Sequence, residues 1–190
     1  MVLPIYLYGH PVLRTPTVEL TPDYPGLEQL IANMKETMYE SDGIGIAAPQ
    51  VGKSLRLVYI DVDVLADEFP ELKGVKMVVI NPQLTIDEES APVTREEGCL
   101  SVPGVHENVT RHEKIHLKWT DENWQEHEQD FEGYLARVIQ HELDHLFETV
   151  FVDRISPIRK QLIRKKLNNM AKGDVSCSYH CKFAPHNRKK

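Results

Sequence analysis

The chain predicts an α+β domain: antiparallel β-sheets packed around a central helix that carries a His-Glu-x-x-His motif, with a further helix toward the C-terminus. Three observations predict it. Tyr134, Leu135, Val138, Leu143 and Leu146 recur near the 3.6-residue period, and no Gly or Pro interrupts Tyr134 to Glu148. Stretches 55–62 and 75–80 are short apolar runs of strand length bounded by turn residues. Ser156-Pro157 places a capping hydroxyl and a first-turn proline ahead of a last helix reaching about Ala171. A single domain spans 1–172, followed by a basic tail, 173–190, that is expected to be flexible.

The elements follow in order. Pro4, Pro11, Pro16, Pro22 and Pro25 break the start of the chain into loops and turns. Pro25 opens a helix to about Glu40, with Leu27, Leu30, Ile31, Met34 and Met38 as its packing stripe and Ser41-Asp42-Gly43 as its stop. Leu55–Val62 and Val75–Ile80 are strands joined by an acidic loop, the second ending before Asn81-Pro82. Residues 83–86 and 93–95 form further short strands. Alternation over Val109–Trp119 predicts one half-buried antiparallel strand, with residues 124–130 as its hairpin partner. The motif helix and the last helix complete the chain.

Composition narrows the setting. Hydrophobic content of 41% and charged content of 27% are those of an ordinary water-soluble fold. No basic leader with an apolar core opens the chain and no apolar run is long enough to cross a membrane, so the expected location is the cytoplasm. Three cysteines, Cys99, Cys177 and Cys181, do not make a disulfide framework and are expected as free thiols or ligands. From Arg154 onward eleven cations face one acid, a balance of +10, which leaves −17 for residues 1–153 of the total −7. That asymmetry predicts a polyanionic partner for the basic end, the alternative being a solvated helix face. Cys177, His180, Cys181 and His186 match no usual metal-ligand spacing.

The chemistry lies in Gln140-His141-Glu142-Leu143-Asp144-His145. On a helix, residues four apart share a face, so both imidazoles can reach one ion, and Glu142 can act as general base on a water held there. A surface helix with two solvated histidines is the alternative, and the apolar surroundings disfavour it. Two histidines need a third ligand. Cys99, between Gly98 and Leu100 in a turn-rich segment, is the best candidate, against the alternative of a small buried hydrophobe. One sulfur and two imidazoles leave a fourth tetrahedral position open, as in a catalytic site. In familiar zinc proteases with this motif the third ligand follows the helix. Here it precedes, which argues against an ordinary endopeptidase.

Three stretches together resemble peptide deformylase: Gly43-Ile44-Gly45-Ile46-Ala47-Ala48-Pro49-Gln50, Glu97-Gly98-Cys99-Leu100-Ser101 and Gln140 to His145, in family order. His10 to Arg14 and Phe151 to Arg154 also look like family segments, so the likeness covers about residues 4–172. The resemblance is to the iron-dependent bacterial or organellar type with a C-terminal helix. It implies a metal-dependent amidohydrolase that removes the N-formyl group from the first methionine of new proteins. Cys99, His141 and His145 would hold one Fe(II), replaceable by Zn(II), Ni(II) or Co(II). Glu142 would activate water, and the Gln50 amide with the Leu100 N–H would stabilise the oxyanion. Its partners would be N-formyl-methionyl nascent peptides and the ribosome, through the basic C-terminal helix, with the enzyme a monomer. A metalloprotease and a catalytically silent ribosome-associated homologue are the rival readings.

Among the motif residues, Gly45 has no Cβ, so a substrate backbone can lie close to it. Ile44 and Val138 are candidates for the pocket of the methionine side chain, with core packing as the alternative. Two positions depart from the family pattern. Glu148 stands where glycine is common. Arg137, one turn before His141, stands where an apolar residue is common, and it is expected to rim the substrate pocket and contact peptide carbonyls.

Overall fold

A computed structural model describes residues 1–185; His186 and the last three cations of the basic tail, Arg188, Lys189 and Lys190, lie outside the described residues. Among the described residues nine strands and three α-helices follow in order: β1 (Ile5–Tyr6), α1 (Leu27–Glu40), β2 (Gly45–Ala47), β3 (Leu57–Asp61), β4 (Lys76–Ile86), β5 (Pro92–Glu97), β6 (Glu107–His112), β7 (Lys114–Thr120), β8 (Glu126–Glu132), α2 (Gly133–Leu146), α3 (Pro157–Ala171) and β9 (Cys181–Lys182). The main sheet runs β2-β3-β4-β7-β8, antiparallel throughout. A β5-β6 hairpin and a parallel β1-β9 pair stand beside it. The α+β expectation, with antiparallel sheets around the motif helix, holds.

The sheet is covered on both faces, and the period-2 alternation of β3 shows how. Leu57 and Tyr59 pack with the stripe of α1, from Leu27 to Met38. Val58 and Ile60 point the other way and pack with Val138, Ile139, Leu143 and Leu146 of α2. All five residues of β3 are therefore buried. A third cluster joins Ile5 and Leu7 to Phe151, Val152 and the inner stripe of α3, Ile163, Leu167 and Met170. Ser156 caps α3 by accepting from the Arg159 N–H at 3.4 Å. Among the described residues no helix is long and apolar enough to cross a membrane.

Four expectations need correction. Asn81-Pro82 does not end a strand: β4 runs through it, with its register shifted between Ile80 and Gln83. Asn81 takes φ 49° there, and its side-chain amide bonds both the N–H and the carbonyl of Leu20, pinning the N-terminal loop. Val109–Trp119 is two strands in two sheets rather than one, because the backbone of Glu113 is drawn aside to Ala91 and Gly133. Cys177 and Cys181 are not free but joined in a disulfide, their five-residue loop bringing the sulfurs together. The tail up to residue 185 is not loose, since β9 pairs with β1 and Tyr179 bonds the carbonyl of Leu100 at 2.5 Å. Pairing partners so distant in the chain leave no local signature.

Candidate metal centre

The site begins with a corner. Gly133 has φ 66°, and its N–H bonds the Glu113 carbonyl at 3.0 Å. That left-handed turn folds α2 back over the sheet that β8 has just completed. Every residue of α2 from Ala136 to Leu146 is buried. The four-residue spacing puts the rings of His141 and His145 on one face, centroids 5.5 Å apart. Cys99 arrives from the turn after β5, closed by the Val102 N–H on the Cys99 carbonyl at 2.8 Å. Its sulfur stands 3.4 Å from His145 Nε2. The ligand atoms of Cys99, His141 and His145 all lie within 4.8 Å of one another.

Glu97 orients this set. Its Oε2 accepts from His141 Nδ1 at 2.9 Å, so the proton sits on Nδ1 and the Nε2 lone pair is left for a metal. The remaining acceptor positions take Arg111 Nε at 2.7 Å, Arg111 Nη2 at 2.9 Å and Arg137 Nη1 at 2.6 Å. Burial alone would raise the Glu97 carboxyl, but Arg111 and His141 outweigh it and bring the pKa down to about 2. Arg111 also reaches Asp144 at 3.0 Å, and Arg154 pairs with the same carboxylate. Burial disfavours charge on His141 too, yet Cys99 and Glu97 raise its pKa well above the ordinary value. His145, without an acid on its ring, is lowered by burial and by His141.

Glu142 is the other polar group set here with a purpose other than packing. Its Oε2 is buried and has no hydrogen-bond partner. Burial pushes the carboxyl up to about 7. Gly45 makes room for it: a Cβ on Gly45 would run into Glu142 Oε1 and stand 2.7 Å from its Cγ. The missing side chain therefore admits the carboxylate, a reason different from the substrate approach read from sequence. Gln50 follows β2, and its Oε1 accepts the Ala47 N–H at 2.8 Å. That bond turns the amide nitrogen inward, 3.5 Å from Cys99 Sγ and 3.3 Å from Ser101 Oγ. Among the described residues the Leu100 N–H donates to no protein carbonyl.

These groups open on one cavity of about 470 Å³, which Ile44, Gly45, Gln50, Cys99, Leu100, Val138, His141 and Glu142 all line. Arg137 reaches the same wall, but it is only 6% exposed, and its guanidinium donates to Glu97, to the Val109 carbonyl at 3.0 Å and to the Val93 carbonyl at 2.5 Å. The expected rim contact to peptide carbonyls is corrected accordingly, because Arg137 supports the carboxylate behind His141. Sequence reading missed Glu97 and Arg111 as working residues. Alternation held a signal for Arg111, since Glu107, Val109 and Arg111 are the inward set of β6.

The donor set suits a divalent cation: a sulfur and two nitrogens in reach of one point, the Glu97 carboxylate behind His141, and an unpaired buried carboxyl alongside. A metal-dependent hydrolase is the class that this fold and site define. Comparison narrows it. The family profile of Polypeptide deformylase matches residues 2–161. The peptide deformylase of Flavobacterium johnsoniae is 44% identical over 191 residues, 97% of each chain, and that of Salinibacter ruber is 44% identical over 94% of this chain and 93% of its own. Among solved structures, a peptide deformylase from Legionella pneumophila aligns with TM-score 0.77 at 35% identity, covering 90% of this chain and 96% of that one. The enzyme from Thermus thermophilus aligns with TM-score 0.77 at 39% identity, covering 89% and 97%. The chain belongs to the peptide deformylase family, a hydrolase that removes the formyl group from nascent peptides.

Proposed function

We propose that Glu142 is the general base and acid of this deformylation, with the Gln50 amide and the Leu100 N–H as oxyanion donors. The metal held by Cys99, His141 and His145 is Fe(II) in the cell, and Zn(II), Ni(II) or Co(II) can replace it. When bound, the ion supplies Lewis acidity toward water and the formyl carbonyl. Glu142 takes a proton from the attacking water and delivers it to the departing α-amine, a role suited to a carboxyl brought close to neutrality. Gln50 Nε2 and Leu100 N–H donate to the oxygen as the formyl carbon becomes tetrahedral. Ile44 and Val138 receive the methionine side chain beside the Gly45 backbone.

The observation that carries the reading is Glu142 itself, buried and unpaired on the cavity that Cys99 and His141 also line. Activity against formyl-Met-Ala-Ser tests it, with unformylated and internally cleavable peptides alongside. Deformylation only, scaling with iron per chain in anaerobically purified protein, supports the reading. Cleavage of internal bonds, or no turnover with metal bound, sinks it.

The enzyme is a cytoplasmic monomer that works at the ribosome, docking through α3. Arg164, Lys165 and Lys166 are candidates for phosphate contacts, whereas Arg159 and Lys160 are engaged with Glu107 and Asp153. Such docking weakens steeply with salt. Co-sedimentation with ribosomes at low and high salt checks it, and indifference to salt counts against it.

A further inference from the structure

Residues 176–179 lie beyond the span matched by the family profile, yet they line the catalytic cavity together with residues of α2. Two anchors hold them there. On the C-terminal side β9 pairs with β1, the Ile5 N–H bonding the His180 carbonyl at 2.9 Å and the Leu7 N–H bonding the Lys182 carbonyl at 3.0 Å. Across the loop, the Cys177–Cys181 disulfide closes five residues on themselves. Tyr179 stands inside that closed loop, and its hydroxyl donates to the Leu100 carbonyl at 2.5 Å. The ring packs in the same apolar cluster as Cys99 and Leu100.

We propose that Tyr179 is a positioning residue for the Cys99-Leu100 turn and that its loop is the wall against which the formylated peptide is seated, Ser178 facing the chain beyond methionine. The inference rests on the function proposed above. Leu100 carries the reading's one backbone oxyanion donor, and a turn with its carbonyl tethered holds that N–H in place. Loss of an oxyanion donor costs about 100- to 1,000-fold in rate. A donor retained on a looser turn loses a part of that, roughly 5- to 20-fold. Ser178 is exposed on the cavity wall, so bulk added there meets substrate before it meets protein.

The test uses the full chain, metal-loaded, with the disulfide intact, as shown by one free thiol per chain. Tyr179→Phe keeps the ring and removes the tether. It is expected to lower kcat on formyl-Met-Ala-Ser about 5- to 20-fold, with KM within twofold and metal per chain unchanged. Ser178→Trp is expected to raise KM about tenfold with kcat kept. It is also expected to slow alkylation of Cys99, the free cysteine, in metal-stripped protein. Kinetic constants of Tyr179→Phe within twofold of wild type overturn the assignment, whether or not its melting temperature falls. An unchanged KM or alkylation rate for Ser178→Trp overturns the wall. A wild-type protein that binds metal but does not deformylate instead topples the proposed function, and this inference with it.

Discussion

α2 and α3 are nearly equal in length, 14 and 15 residues, and both arise from apolar side chains at helical spacing. Their fates differ. α3 buries only Ile163, Leu167 and Met170, and leaves Ile158 76% and Leu162 67% exposed among its cations. α2 buries Arg137, Gln140, His141, Glu142, Asp144 and His145 along with its apolar residues. Desolvating charge costs several kcal/mol per ion unless partners recover it. In α2 almost every charged group has such partners, on β5, β6 or the turn ahead of α3. A helix that stabilises a fold and a helix that performs chemistry thus differ in which polar groups they take inside.

The contrast can be broken first at Glu142, the one carboxyl of α2 left without a partner. Glu142→Gln should cut kcat/KM by about 100- to 10,000-fold. Its stability should move the other way. The folded pKa of about 7 lies above the ordinary 4.5, so ionised Glu142 destabilises the fold increasingly as pH rises through that interval. At pH 8 the variant should melt at or above the wild-type temperature. A lower melting temperature with activity retained would make Glu142 a structural residue.

Glu97→Gln attacks the partnered side of the comparison. Removing the acceptor behind His141 should weaken metal affinity about 10- to 100-fold, read by competition with a chelator. With the folded pKa depressed from 4.5 to about 2, the carboxylate's stabilisation is present above pH 4.5 and is lost as pH falls toward 2. By that shift it amounts to about 3 kcal/mol. The variant's acid unfolding should therefore be flatter across this window, and a superimposable profile refutes the role given to Glu97. Gly45→Ala comes next. Its Cβ must displace Glu142, and a loss of about tenfold or more in kcat with the metal retained is the expected result. Last, Lys165→Glu with Lys166→Glu on α3 should change stability by no more than about 0.5 kcal/mol per site while abolishing salt-sensitive ribosome binding. A large loss of stability would show that this face is not merely solvated.

Much of the site was legible because its donors come as short words. Two histidines four apart can share a metal wherever a helix forms, and the apolar stripe from Tyr134 to Leu146 made that helix legible too. Arg137 was misread because position on a helix face says which way a side chain leaves the backbone, not whether a carboxylate waits there. Glu97, the residue that waits, is forty positions away on another element.

By itself the sequence determined the α+β class, α1 and its core stripe, the Ser156 cap, and Cys99, His141 and His145 as a candidate metal-binding set. These rest on local periodicity and on residue types with few other uses. Only the tertiary structure decided that Arg111 and Arg137 converge on Glu97, that Gly45 yields its space to Glu142, and that β6 and β7 part at Glu113. It also decided that Cys177 and Cys181 join and that Tyr179 returns to Leu100. Each of these depends on surfaces brought together from distant parts of the chain, where burial turns a solvated charge or a lone cysteine into a partner.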